Sequence, residues 1–149
     1  ILPSDNDTDE DDSVMFFQSN IPLDRILFSE FANTFHESKF SVLLVKGWFQ
    51  NWSIYENKLI EKAKAQNLDF ISLGECLQKI KPEPDDKTAF IPVNAFDCIV
   101  EGEEAWVIVC KWENNMTSKN NTRSYVLSHV RMWAITKKDK KIIGFSTCN

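Results

Sequence analysis

The chain has 149 residues and a formal charge of −5, with 43% hydrophobic and 12% aromatic side chains. That length and apolar content suffice for one globular core. The 14 Lys and 3 Arg form no basic stripe, which excludes nucleic acid as an expected partner, and no apolar run approaches the ~20 residues of a membrane span, so no membrane insertion is expected.

The charge is uneven along the chain. Residues 1–12 hold Asp5, Asp7, Asp9, Glu10, Asp11 and Asp12 with no Lys or Arg. Like charges repel and little there can be buried, so residues 1–14 read as a disordered acidic tail. Residues 15–149 then read as a single α+β domain. The alternating acids of DNDTDEDD match a calcium loop only in part. Glu10 stands where that loop needs Gly, and Phe16 where it needs Glu. No metal is expected there.

Residues 22–37 place Leu23, Ile26, Leu27, Phe31 and Phe35 at helical spacing. FSVLLVKGW (40–48) reads as a buried strand. Ser53 and Glu56 form a capping box for a helix over 54–67. Trp48, Phe49 and Trp52 then fall in the loop between strand and helix, where α/β units bind ligands. GWFQNWS has one Gly and no phosphate-cradling pattern, so these three aromatics are candidates for a binding rim. DFISL (69–73) reads as a second strand. Ser72 and Glu75 cap a helix carrying Leu73, Cys76, Leu77 and Ile80 on one side. Strand, helix and strand together predict a βαβ unit.

The stretch LLVKGWFQNWSIYENKLIEKAKAQNLDFISLGECL (43–77) resembles a strand–helix–strand segment of the SGNH hydrolases. The family's G-D-S and D-x-x-H motifs are absent, so the resemblance implies no activity and transfers no residue.

Beyond KPEPDDK (81–87), strands are expected at 89–100, 105–113, 125–136 and 141–148, with tips at EGEE and KKDKK. They form an antiparallel meander. The predicted fold is α+β, with helices packed on a mixed or antiparallel sheet of about five or six strands.

Cys76, Cys98, Cys110 and Cys148 are an even set, which predicts disulfides. A turn at Gly102–Glu103 points Cys98 and Cys110 to opposite faces of their hairpin, against a bond between them. Cys76–Cys98 with Cys110–Cys148 is favoured over the remaining pairing, and four reduced, buried thiols are the alternative. Asn51, Asn115 and Asn120, with Asn6 in the tail, open N-x-S/T sequons and are glycosylation candidates. The cysteine count and the Ile at position 1 predict a secreted or periplasmic protein. With no C-x-x-C pair and two His in the chain, zinc is not expected.

The densest functional constellation is His129, Arg131 and Trp133, which alternate onto one strand face. Lys111 and Lys46 are expected to extend it. This pattern suits an anion-binding or partner-binding patch with an aromatic floor. The expected function is an exported, non-enzymatic binding protein for a protein partner or small ligand, with no cofactor. One alternative is a small hydrolase using His129 or His36 with Asp97 or Glu113 as carboxylate. Another is a structural domain of a larger assembly.

Overall fold

A computed structural model describes residues 14–21, 41–44, 48–83, 88–113, 123–127 and 129–148. Seven strands and two helices lie among them: β1 (Val14–Ile21), β2 (Ser41–Leu44), α1 (Trp48–Ala65), α2 (Phe70–Ile80), β3 (Ala89–Val100), β4 (Glu103–Glu113), β5 (Arg123–Val126), β6 (His129–Thr136) and β7 (Ile142–Cys148). The tail over 1–13, the helix expected over 22–37 with its His36, Lys46, and the sequons at Asn6, Asn115 and Asn120 lie outside the described residues.

The fold is α+β. Five strands form a mixed sheet in the order β1-β3-β4-β6-β7, and β2 and β5 pair separately as a two-stranded antiparallel sheet. The meander expected for the second half is present as β3-β4-β6-β7, all antiparallel. β5 leaves it to pair with β2.

The β3–β4 hairpin sets the register of the large sheet. Glu101 (φ 53°) and Gly102 (φ 79°) form its two-residue turn, and both take the left-handed backbone such a turn requires. Val100 therefore faces Glu103, and Cys98 faces Ala105. The sequence reading placed the turn one residue later and opposed Cys98 to Val107. A bulge at Val93 then shifts the ladder, so Cys110 faces Pro92.

The βαβ unit is not formed. DFISL is no strand: it is the cap and first turn of α2. Asp69 is the N-cap, its carboxylate accepting from the Ser72 backbone N–H at 3.1 Å, while the Ser72 hydroxyl donates to the Asp69 carbonyl at 3.0 Å. A side chain that satisfies an orphan amide outweighs the strand-like look of Phe70 and Ile71. α1 closes two residues before its expected end. Asn67 sits at φ 60°, with Leu68 N–H bonded to Ala63 O and Asn67 N–H to Lys64 O, which is a Schellman cap. The helices thus follow one another directly. The SGNH-like segment is strand, helix and helix, so that resemblance does not extend to the fold.

α1 begins at Trp48, six residues before the expected start at 54. Trp52, Glu56, Leu59 and Ala63 make its buried side, four residues at helical spacing. Glu56 accepts a 2.5 Å hydrogen bond from Gln78 Nε2, which ties α1 to α2. The parallel neighbour of β3 is β1, a strand the sequence reading missed. Val14 pairs with Ala95, so the expected tail gives way to structure at its last residue.

The sheet buries both faces. On the helix side lie Ala95, Trp106, Ile108, Cys110 and Ile135 with Trp52, Leu59, Leu73, Cys76 and Leu77 from the helices. The other side buries Ile91, Phe96, Cys98, Val107, Val109, Val130 and Met132. Trp106 links sheet to helix: its indole N–H donates to Ser72 Oγ at 2.9 Å. Beside it, Asp97 is buried and paired with Lys137 at 2.6 Å, under a Lys137 ammonium 5.1 Å from the Trp106 ring. Asp97, one of the two carboxylates named for a hydrolase, thus lies opposite Trp106 on the helix side and is held in an ion pair.

The disulfide framework is overturned for the described residues: Cys76, Cys98 and Cys110 are free and buried. The faces explain why. Cys76 and Cys98 belong to cores on opposite sides of the sheet. Cys110 is on β4 and Cys148 on β7, with β6 between them, about two strand spacings apart and beyond disulfide reach.

Asp97→Ala leaves Lys137 uncompensated in a mostly buried position and is expected to cost about 3–5 kcal/mol in chemical denaturation. Replacing both residues together with apolar ones is expected to restore most of that loss.

Candidate functional site

α1 and α2 pack chiefly on β3, β4 and β1. The β6–β7 end of the same sheet face is less covered. There alternation brings out His129, Arg131 and Trp133 from β6, all half-buried, and Phe145 and Thr147 from β7, both exposed. The ladder pairs Trp133 with Phe145 and Arg131 with Thr147. The three β6 residues expected to share a face therefore do so.

Aromatic rings run from the core to this shelf. Trp52 is 6.2 Å from Phe90, Phe90 is 6.1 Å from Trp133, and Trp133 is 5.4 Å from Phe145, all between ring centroids. Tilted contacts at these separations suit the ring quadrupoles. Arg131 lies over two rings, with its Cζ 4.8 Å from the Trp112 centroid and 5.4 Å from Phe90. Trp112 in turn stacks on His129 at 4.4 Å. His129 Nε2 is 3.6 Å from Glu113 Oε2 at the rim.

Other candidates fall elsewhere. Lys111 does not extend the patch: it pairs with Val130 and is buried on the opposite face, where desolvation lowers its pKa. Trp48, Phe49 and Trp52 do not sit in a loop, because all three belong to the first turns of α1. Trp52 is fully buried in the core. The sequon at Asn51 is helical and its side chain is only 5% exposed, which leaves no room for a glycan in the folded chain. Of the carboxylates named for a hydrolase, Glu113 reaches His129, whereas Asp97 is held by Lys137. Phe90, Trp112 and Phe145 join the site without having been singled out for it. The β4–β6 ladder sets Trp112 opposite His129.

Among the described residues, three buried side-chain polar atoms have no hydrogen-bond partner: Trp52 Nε1, Trp112 Nε1 and His129 Nδ1. All three belong to rings of this aromatic group. Among the described residues, no cluster of His, Cys, Asp and Glu suits a metal ion, and no helix is long and apolar enough to cross a membrane.

The thiols are chemically quiet. Burial pushes Cys76 up to about 11 and Cys98 up to about 12, and raises Cys110 well above the ordinary thiol value against the pull of Arg131. A nucleophilic cysteine needs the reverse. Cys98 instead donates weakly to the Phe96 carbonyl at 3.6 Å.

No protein-family model, no curated protein and no solved structure matches this chain.

The three buried thiols should react with a disulfide reagent only after unfolding, as read by absorbance with and without denaturant. Their raised pKa values also set a pH window. The unfolded thiols ionise near 9 and the folded ones do not, so their stabilising contribution is full below pH 9. It declines as pH rises from 9 through about 11 and 12. Denaturation midpoints measured across that range should fall.

Proposed function

We propose that the protein is a non-enzymatic binding protein that recognises a protein partner or small ligand through the β6–β7 shelf. The observation that carries this reading is Arg131. Its guanidinium is stacked on Trp112 and Phe90, yet no carboxylate of the described residues lies within ion-pair distance of it. Beside it, Phe145 is 52% exposed over Trp133. A cation fixed on rings next to an exposed aromatic surface is the composition of a recognition hot spot. Paired cysteines were the main ground for expecting export; with three of the four thiols unpaired, that ground is weakened and export stays outside this reading.

Chemical-shift mapping with a panel of small aromatic and aliphatic fragments tests it. Binders should perturb Arg131, Trp133 and Phe145 together, and Phe145→Ala should weaken them about tenfold, as expected for loss of a hot-spot ring. Perturbations gathered on any other surface would remove the shelf as the recognition site.

A second reading rests on the His129–Glu113 pair. The imidazole Nε2 and the carboxylate stand 3.6 Å apart at the rim, both side chains partly exposed, and a His–carboxylate pair is an arrangement used for acid–base work. Under it, a panel of chromogenic esters and amides would show turnover that falls at least a hundredfold in His129→Ala. Turnover unaffected by that change would end the reading.

A further inference from the structure

We infer that the ligand of the shelf carries a carboxylate, held by Arg131, on an aromatic or apolar body that lies over Trp133 and Phe145. This rests on the binding reading above and adds the chemistry of the ligand.

The charge around Arg131 is unbalanced. The ionisable groups near it on β4 and β6 are His129, the buried Cys110 thiol and Glu113, which belongs to the other face by register and reaches His129 around the rim. Glu113 is turned to His129, and burial keeps Cys110 protonated. A guanidinium drawn partly out of water with no counter-ion among the described residues is costly. Stacking on Trp112 and Phe90 occupies its faces and leaves the planar N–H fork for an acceptor. Two oxygens side by side match that fork.

Donors are also in surplus. The indole N–H groups of Trp52 and Trp112 are buried with no acceptor among the described residues, although nearly all buried polar groups in folded proteins find one.

The same balance favours a monoanion. Arg131 is a single fixed cation, Glu113 stands nearby, and Lys111 is buried on the far side of the sheet. A phosphate dianion would meet Glu113 with no second cation to offset it. Across the ladder from Arg131, Thr147 is exposed, and its hydroxyl already donates to the Val130 carbonyl at 3.3 Å, leaving lone pairs rather than a proton toward solvent. The apolar body finds its place one pair further along, on the tilted Trp133 and Phe145 rings.

The test is a titration of the whole chain with benzoate, N-acetylphenylalanine, phenyl phosphate and neutral benzamide, followed by the indole N–H resonances of Trp112 and Trp133. Benzoate and N-acetylphenylalanine are expected to compete and to bind at least tenfold more tightly than benzamide. Whichever of the two binds more tightly assigns the source, a small free acid or the carboxylate end of a peptide. Arg131→Gln should erase the advantage over benzamide, and Arg131→Lys should keep part of it. If Arg131→Gln fails to fold, the wild-type comparison of benzoate with benzamide still decides. Equal binding of benzamide and benzoate would overturn the carboxylate while leaving the shelf as a binding site. Tighter binding of phenyl phosphate would overturn it in favour of a phosphate ligand, and no response to any probe would overturn it outright.

Discussion

The two-residue turn at Glu101–Gly102 fixes the molecule more than any other element. Two consecutive left-handed residues close the β3–β4 hairpin with Val100 against Glu103, and a β ladder has a period of two, so this choice assigns every side chain of both strands to a face. The neighbours then take their places from it. β1 lies along the outer side of β3, β6 along β4, and β7 along β6. Trp106, Ile108 and Cys110 turn toward the helices as a result, and Val107 and Val109 turn away.

The helices are fastened to that hairpin at a few specific points. Ser72 serves twice: its amide and hydroxyl complete the cap on Asp69, and its oxygen accepts the indole N–H of Trp106. Capping and docking thus share one residue. Next to it, the Asp97–Lys137 pair joins β3 to the turn after β6, and Lys140 reaches Glu75 on α2. Polar links concentrate at this end of the sheet face. The opposite end, with Arg131, Trp133 and Phe145, is built mainly from rings around one guanidinium, with the His129–Glu113 pair at its rim.

Much of this was legible in the amino-acid pattern, and the errors have physical causes. β3 was read to the residue, the meander was recognised, and the inner side of α2 was identified by Leu73, Cys76, Leu77 and Ile80. The alternation of His129, Arg131 and Trp133 was equally plain. DFISL misled because five residues are too few to separate a helical from an extended period, and the deciding signal was the carboxylate of Asp69. Trp48, Phe49 and Trp52 were set in a loop because Ser53 and Glu56 mimic a helix start that in fact lies within α1. β1 was missed because VMFFQSNI lacks clean alternation, and its pairing with β3 joins residues far apart in the chain. The cysteine framework failed on faces: an even count carries no information about which side of a sheet each thiol occupies.

The bulge at Val93 divides β3 into two phases. From Asn94 to Val100 the even-numbered Phe96, Cys98 and Val100 face away from the helices; before the bulge the odd-numbered Ala89, Ile91 and Val93 do. One additional residue therefore lets a single strand obey two parity rules. It is what turns Phe90, rather than Ile91, toward Trp52 and Arg131. Were the same residues paired straight through without the bulge, Ile91 would take that place, exchanging the ring beneath the guanidinium for an aliphatic chain. The bulge thus makes the shelf indifferent to that one residue: a chain lacking Val93 would run as a regular ladder with Phe90 still opposite Trp112.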